Sequence, residues 1–152
     1  GDREPADLRA RIADTFARLA TAFDNDARLA AVADIRQIAA ERLEATPDGV
    51  PPVTLHSNPG PEHTFVDPAT GAFTGLIDFG DSYRSHAAFD LRPWADGDDA
   101  AAVLDGYQTA GQLPPDFEHV RHTTLLIDAL ARAARGRTSP QQLAATLDRL
   151  TR

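Results

Sequence analysis

The sequence predicts an α+β domain that is mainly helical and carries one β-hairpin. Three observations lead there. Apolar residues recur at helical spacing toward both ends of the chain. Two short β-prone runs flank the turn-forming stretch Asp67-Pro68-Ala69-Thr70-Gly71 near the middle. The 152 residues suffice for a single domain, 1–152, with a substantial core.

The elements follow in order. Residues 5–23 are the first expected helix. Pro5 suits a first helical position, and Leu8, Ile12, Phe16, Leu19 and Phe23 form one apolar stripe. Asn25 or Asp26 caps a second helix reaching to residue 45, with Leu29, Val32, Ile35, Ile38 and Leu43 as its apolar set. Pro47-Asp48-Gly49 and Pro51-Pro52 then break the chain. Residues 53–55 read as a short strand. Residues 63–67 and 72–78 read as the two strands of the hairpin. His63 then starts one strand and Asp78 ends the other, which makes them near neighbours. Further helices are expected at 87–94, 98–110 and 116–135, the last stopped by Gly136. Ser139-Pro140-Gln141-Gln142 combines a capping box with Pro in the first turn and opens a final helix.

Composition narrows the function classes. The formal net charge is −8, so a phosphate backbone is repelled and nucleic acid is not an expected partner. No apolar run approaches the ~20 residues of a membrane span, and no signal-peptide pattern opens the chain. A membrane partner is therefore not expected, and a cytoplasmic location is the compatible one. Cysteine is absent, which rules out disulfides and thiolate metal sites within this sequence. All 15 basic residues are Arg.

The chemistry concentrates in two segments. The first is His56-Ser57-Asn58-Pro59-Gly60-Pro61-Glu62-His63, and the second is Leu76-Ile77-Asp78-Phe79-Gly80-Asp81. Together they resemble the catalytic core of the aminoglycoside phosphotransferases, kinase-like enzymes that phosphorylate small-molecule hydroxyls. The resemblance runs from residue 53 to 94 and, more loosely, through the helices on both sides. It implies a kinase-like C-terminal lobe with the N-terminal lobe absent. In that family the first segment usually reads His-Gly-Asp, and its Asp is the catalytic base. Here Asn58 takes that place, and an amide offers no proton acceptor in the useful range. His56 matches the motif His, which braces the catalytic loop; an acid–base role is the alternative. His63 and Asp78 match the metal-binding positions; the alternative is that they hold a transition metal together with Glu62 or Asp81. Asp90 matches the residue that hydrogen-bonds back to the catalytic loop. Tyr83, Arg84 and His86 lie where family members line the acceptor pocket. Asp96, Asp98 and Asp99 are acidic residues nearby, which either attract a cationic ligand or start a helix. Trp94 reads as core.

What the resemblance implies for cofactors divides. Mg²⁺ fits the His63 and Asp78 positions. ATP is disfavoured, because kinase-like enzymes hold its phosphates with a Lys that this sequence lacks. Three functions compete. The leading one is a degenerate phosphotransferase without ordinary kinase activity, repurposed for small-molecule binding or for non-phosphoryl acid–base chemistry. Antibiotic sequestration and natural-product biosynthesis are its two forms. It would use Asn58, His56 and Asp78. The second is an ATP- and Mg²⁺-dependent O-phosphotransferase whose N-lobe comes from elsewhere. The third is an interaction module: a homodimer, or a partner chain covering the surface that a missing N-lobe leaves open.

Overall fold

A computed structural model of the protein describes residues 7–49, 51–94 and 98–151. The helices and strands, in chain order, are α1 (Leu8–Asp24), α2 (Ala27–Ala30), α3 (Ile35–Glu44), β1 (Val53–Leu55), β2 (Thr64–Val66), β3 (Phe73–Leu76), β4 (Tyr83–Ser85), α4 (Asp98–Ala110), α5 (Phe117–Ala134) and α6 (Pro140–Thr151). Short 3-10 helices cover Pro61–His63, Phe79–Asp81 and Ala87–Leu91. The chain divides into two compact units. One comprises Gly1–Val50 with His122–Arg152, and the other Pro51–Arg121, so the boundary falls within α5.

The first unit is helical. The predicted stripe of Leu8, Ile12, Phe16, Leu19 and Phe23 is buried in full, and α1 packs on α2 and α3. Each large side chain buried this way contributes about 1.5–3 kcal/mol. The helix starts at Leu8 because Asp7 caps it, its carboxylate accepting from the Arg9 amide at 3.1 Å. Pro5, expected at the first helical position, lies outside the described residues. The second predicted helix is corrected: it is two helices. Asp34 ends the continuity, because its carboxylate accepts from the amides of Arg36 and Gln37 at 3.0 and 3.1 Å and so caps a new helix, α3. Asp26 caps α2 in the same manner. Leu29 and Ile35 are buried, whereas Val32, Ile38 and Leu43 are half-buried. Leu125, Leu126, Leu130 and Ala133 of α5 and Leu143 of α6 complete the apolar interior of this unit. Gly136 at φ 69° closes α5, with the Arg137 amide donating to Arg132 and the Gly136 amide to Ala133. The capping box of α6 is reciprocal: the Gln142 amide donates to Ser139 Oγ and the Ser139 amide to Gln142 Oε1.

The second unit holds two small antiparallel sheets. β2 and β3 form the expected hairpin, pairing Thr64 with Leu76, Phe65 with Gly75 and Val66 with Phe73, with an irregularity between Phe65 and Val66. Its turn is built by Asp67, whose Oδ1 accepts from the amides of Ala69 and Thr70, and by Gly71 at φ 70°. Those bonds hold the Asp67 carboxyl below its ordinary range. The strands are shorter than the predicted 63–67 and 72–78, because His63 ends a 3-10 helix and Asp78 leaves extended conformation. A second sheet was not expected. β4 pairs with β1, setting Ser85 opposite Val53, Arg84 opposite Thr54 and Tyr83 opposite Leu55. The helix predicted at 87–94 is a 3-10 helix over Ala87–Leu91, with Ala88, Asp90 and Leu91 buried. It packs against β1 and α4. Among the described residues, the large apolar side chains left exposed (Val53, Phe65, Val66, Phe73, Ile77 and Phe79) all belong to this unit. Among the described residues, no helix is long and apolar enough to cross a membrane.

Candidate functional site

The site grows from the end of β1. Leu55 is buried, and the chain then turns sharply through His56, Ser57 and Asn58. One buried carboxylate fixes that turn. Asp90 Oδ2 accepts from the His56 amide and Oδ1 from the Ser57 amide, each at 2.9 Å. The fork matches two consecutive N–H groups, and the carboxylate's charge strengthens both bonds. Ser57 adopts φ 90°, a conformation that favours glycine. Farther along, Trp94 Nε1 donates to the Pro59 carbonyl at 2.7 Å. Gly60 is buried against the same segment; a Cβ there would come within 3.1 Å of Pro93 Cβ.

His56 is fully engaged. Its Nε2 lies 2.7 Å from the Ile77 carbonyl and its Nδ1 accepts from the Asn58 amide at 3.3 Å. The carbonyl requires a donor, so the proton sits on Nε2. The ring also stands edge-on to Phe79, with centroids 4.5 Å apart. His56 thereby ties the turn to the end of the hairpin, and neither ring nitrogen faces outward.

His63 has the opposite character. Its Nδ1 lies 2.7 Å from the Asn58 carbonyl and donates to it. Nε2 is then the nitrogen with a lone pair in the neutral ring, and it faces Asp78 Oδ2 at 3.6 Å. A lone pair and a carboxylate oxygen repel unless a proton or a cation stands between them. A ring N–H held by a backbone carbonyl, which leaves the other nitrogen's lone pair free, is the arrangement that orients histidine metal ligands. Asp78 sits in the left-handed region at φ 68°, ψ 57°, and its side chain is 65% exposed. Asn58 Nδ2 lies 3.4 Å from both Glu62 Oε1 and His63 Nδ1. Because that ring nitrogen is itself a donor, Glu62 is the acceptor for the amide.

The donor set suits a cation in part. His63 and Asp78 offer one nitrogen and one oxygen, and among the described residues no group of three His, Cys, Asp or Glu side chains gathers around a metal position. A cation there would take its other ligands from the Asn58 side chain, water or a bound phosphate.

The remaining candidates are placed differently. Tyr83 is half-buried on β4, and its pairing with Leu55 sets it beside the start of the turn. Arg84 is exposed and its Nη2 donates to the Pro52 carbonyl at 3.2 Å. His86 has a side chain only 1% exposed, which leaves it no surface to offer a substrate in this conformation. Asp81 and Asp99 are exposed, whereas Asp96 and the Asp98 side chain lie outside the described residues. Sequence reasoning passed over Asp116 and Tyr107. Asp116 Oδ2 lies 3.3 Å from His86 Nε2, and Tyr107 stands 6.2 Å from the Phe117 ring. No local pattern signals either one, since each meets its partners across about 10–30 residues of intervening chain.

A model of the phosphotransferase enzyme family matches residues 1–122. No curated protein and no solved structure matches the chain.

Proposed function

This chain belongs to the phosphotransferase enzyme family, and from that premise we propose that the 56–63 loop with Asp78 binds a hydroxylated small molecule and a divalent cation without ordinary phosphoryl transfer. Its fold is the mainly helical α+β arrangement of a kinase-like C-terminal lobe. The observation that carries the proposal is Asn58. It stands where the resemblance puts the base, and its side chain there is an amide directed at Glu62 and His63. An amide orients a hydroxyl or lends a carbonyl oxygen to a cation, but it accepts no proton from an attacking hydroxyl.

The neighbouring groups support binding over turnover. Both nitrogens of His56 are occupied by the fold. His63 keeps its proton on Nδ1 and turns Nε2 toward Asp78. A bound cation would supply positive charge to a phosphate or hydroxyl oxygen. An imidazole paired with a carboxylate suits Mn²⁺ or Zn²⁺ at least as well as Mg²⁺. The ligand classes that fit this reading are an antibiotic to be sequestered or a biosynthetic intermediate.

The test joins cation binding to phosphate transfer. Mn²⁺ binding followed by electron paramagnetic resonance should weaken at least tenfold in both His63→Ala and Asp78→Asn. Titration calorimetry with ATP, with and without Mg²⁺, should show no Mg²⁺-dependent micromolar binding. Such binding together with transfer of labelled phosphate by the unaltered protein would sink the proposal.

A second reading rests on the hairpin. Val66 and Phe73 face each other across the strands, Phe65 lies over Gly75, and all three apolar side chains are at least half exposed. Paired positions lie on one face and successive ones alternate, so apolar surface shows on both faces. A homodimer or a partner chain that covers this surface is the interaction reading. Sedimentation equilibrium across a hundredfold range of concentration decides for or against self-association.

A further inference from the structure

The most unusual buried polar group of the second unit lies apart from the loop. His86 is 1% exposed at its side chain, and Asp116 is 16% exposed. His86 Nε2 and Asp116 Oδ2 are 3.3 Å apart, yet among the described residues both atoms are buried without an aligned hydrogen bond. Buried polar atoms left in that condition call for an explanation. The other ring nitrogen is committed. His86 Nδ1 accepts from the Ala88 amide at 3.2 Å and so caps the 3-10 helix Ala87–Leu91. An accepting Nδ1 carries no proton, so the neutral ring holds its proton on Nε2, facing Asp116.

That 3-10 helix carries Asp90, and Asp90 holds the His56 and Ser57 amides that shape the turn before Asn58. We propose that His86 is a positioning residue for this turn: its unprotonated Nδ1 fixes the short helix that carries Asp90, and a second proton on the ring removes that cap and loosens Asp90's hold on His56 and Ser57. Asp116 faces the ring to receive the charge when it forms. The pair is then a latent lock, out of alignment in the neutral state and engaged in the protonated one. This inference does not depend on the proposed function, because its readout needs no ligand.

Asp116 is the titratable group that faces the His86 ring. It comes from the segment ahead of α5; Asp90 lies on the 3-10 helix that His86 caps, and Tyr107 of α4 stands against the Phe117 ring. Phe117 itself packs at 6.1 Å from the imidazole and carries no charge. Burial pushes His86 below its ordinary 6.5, and Asp116 opposes that shift without overcoming it. Burial also raises the Tyr107 hydroxyl, with the Asp90 charge adding to it. A folded-state value below the unfolded one means the cap is intact above pH 6.5 and fails as pH falls through the folded value.

Amide hydrogen exchange on the full chain, resolved by NMR and expressed as protection factors, tests this. In the unaltered protein, protection at His56 and Ser57 should fall about tenfold on acidification through the His86 titration, the size expected for losing one cap. His86→Asn keeps a capping oxygen and loses the titration, so its protection should stay level over that range. Release that comes instead from protonation of Asp90 would persist in this variant and overturn the proposal. Asp116→Asn removes the charge that favours the protonated ring, so the step should move to lower pH. A step that stays in place or moves up would refute the pairing, and so would nitrogen shifts showing the neutral-pH proton of His86 on Nδ1.

Discussion

Replacing Asp90 with Ala removes the acceptor of two main-chain amides at once. In the folded protein those amides, of His56 and Ser57, sit at 2.9 Å from its two oxygens, and the side chain is almost fully buried. A hydrogen bond to a charged group contributes about 1.5–3 kcal/mol net, and an amide left buried without a partner costs a similar amount. Two such bonds give about 3–5 kcal/mol for Asp90→Ala once some relaxation and water entry are allowed. Asp90→Asn keeps one oxygen and sets an NH₂ against the second amide, so about half or more of that loss is expected. With a urea slope of about 2 kcal/mol/M, the midpoint of Asp90→Ala should fall by roughly 1.5–2.5 M at unchanged slope. The assay is equilibrium unfolding followed by the fluorescence of Trp94, which is joined to the same segment through the Pro59 carbonyl. A fall smaller than about 0.5 M would refute the reasoning, because water or another donor arrangement would then serve the turn as well as Asp90 does.

Ser57→Gly should stabilise the protein by about 0.5–1 kcal/mol, since relief of the φ 90° backbone outweighs glycine's greater freedom when unfolded; a lower melting temperature would contradict this. Asp34→Ala should cost about 1 kcal/mol and speed exchange of the Arg36 and Gln37 amides, which its carboxylate caps; exchange unchanged at those two positions would show that the helix break has another origin. Phe16→Ala, which empties a fully buried site on α1, should cost about 3–5 kcal/mol in denaturant unfolding.

Legibility in the sequence followed distance along the chain. The α1 stripe was readable because Leu8, Ile12, Phe16, Leu19 and Phe23 report their own periodicity. The hairpin turn and the α6 capping box were readable because Asp67, Gly71, Ser139 and Gln142 act within three or four residues of themselves. The break before α3 was missed because Asp34 looks like any surface residue within a periodic run. Strand β4 was missed because three residues, Tyr83–Ser85, are too few to show alternation, and their partners in β1 lie some 30 positions earlier. At the site, the motif positions of His56, Asn58, His63 and Asp78 were visible as a resemblance. Their hydrogen-bond roles were not. Nothing local says that His56 spends both nitrogens on the backbone while His63 turns Nε2 toward Asp78.

The turn before Asn58 is held by bonds that span the chain widely: His56 to Ile77 at a separation of 21, Ser57 to Asp90 at 33, His56 to Asp90 at 34 and Pro59 to Trp94 at 35. Loop-closure entropy must be met before any of these contacts forms, so they come late in folding. During synthesis, which delivers the N-terminal side first, the helices before residue 50 can pack while this turn still has no partners. Residues 56–59 acquire their shape only after Asp90 and Trp94 have left the ribosome. A nascent or truncated chain ending before those residues would display the motif in its sequence and lack it in space, so the shape of the 56–59 turn appears only in a finished second unit.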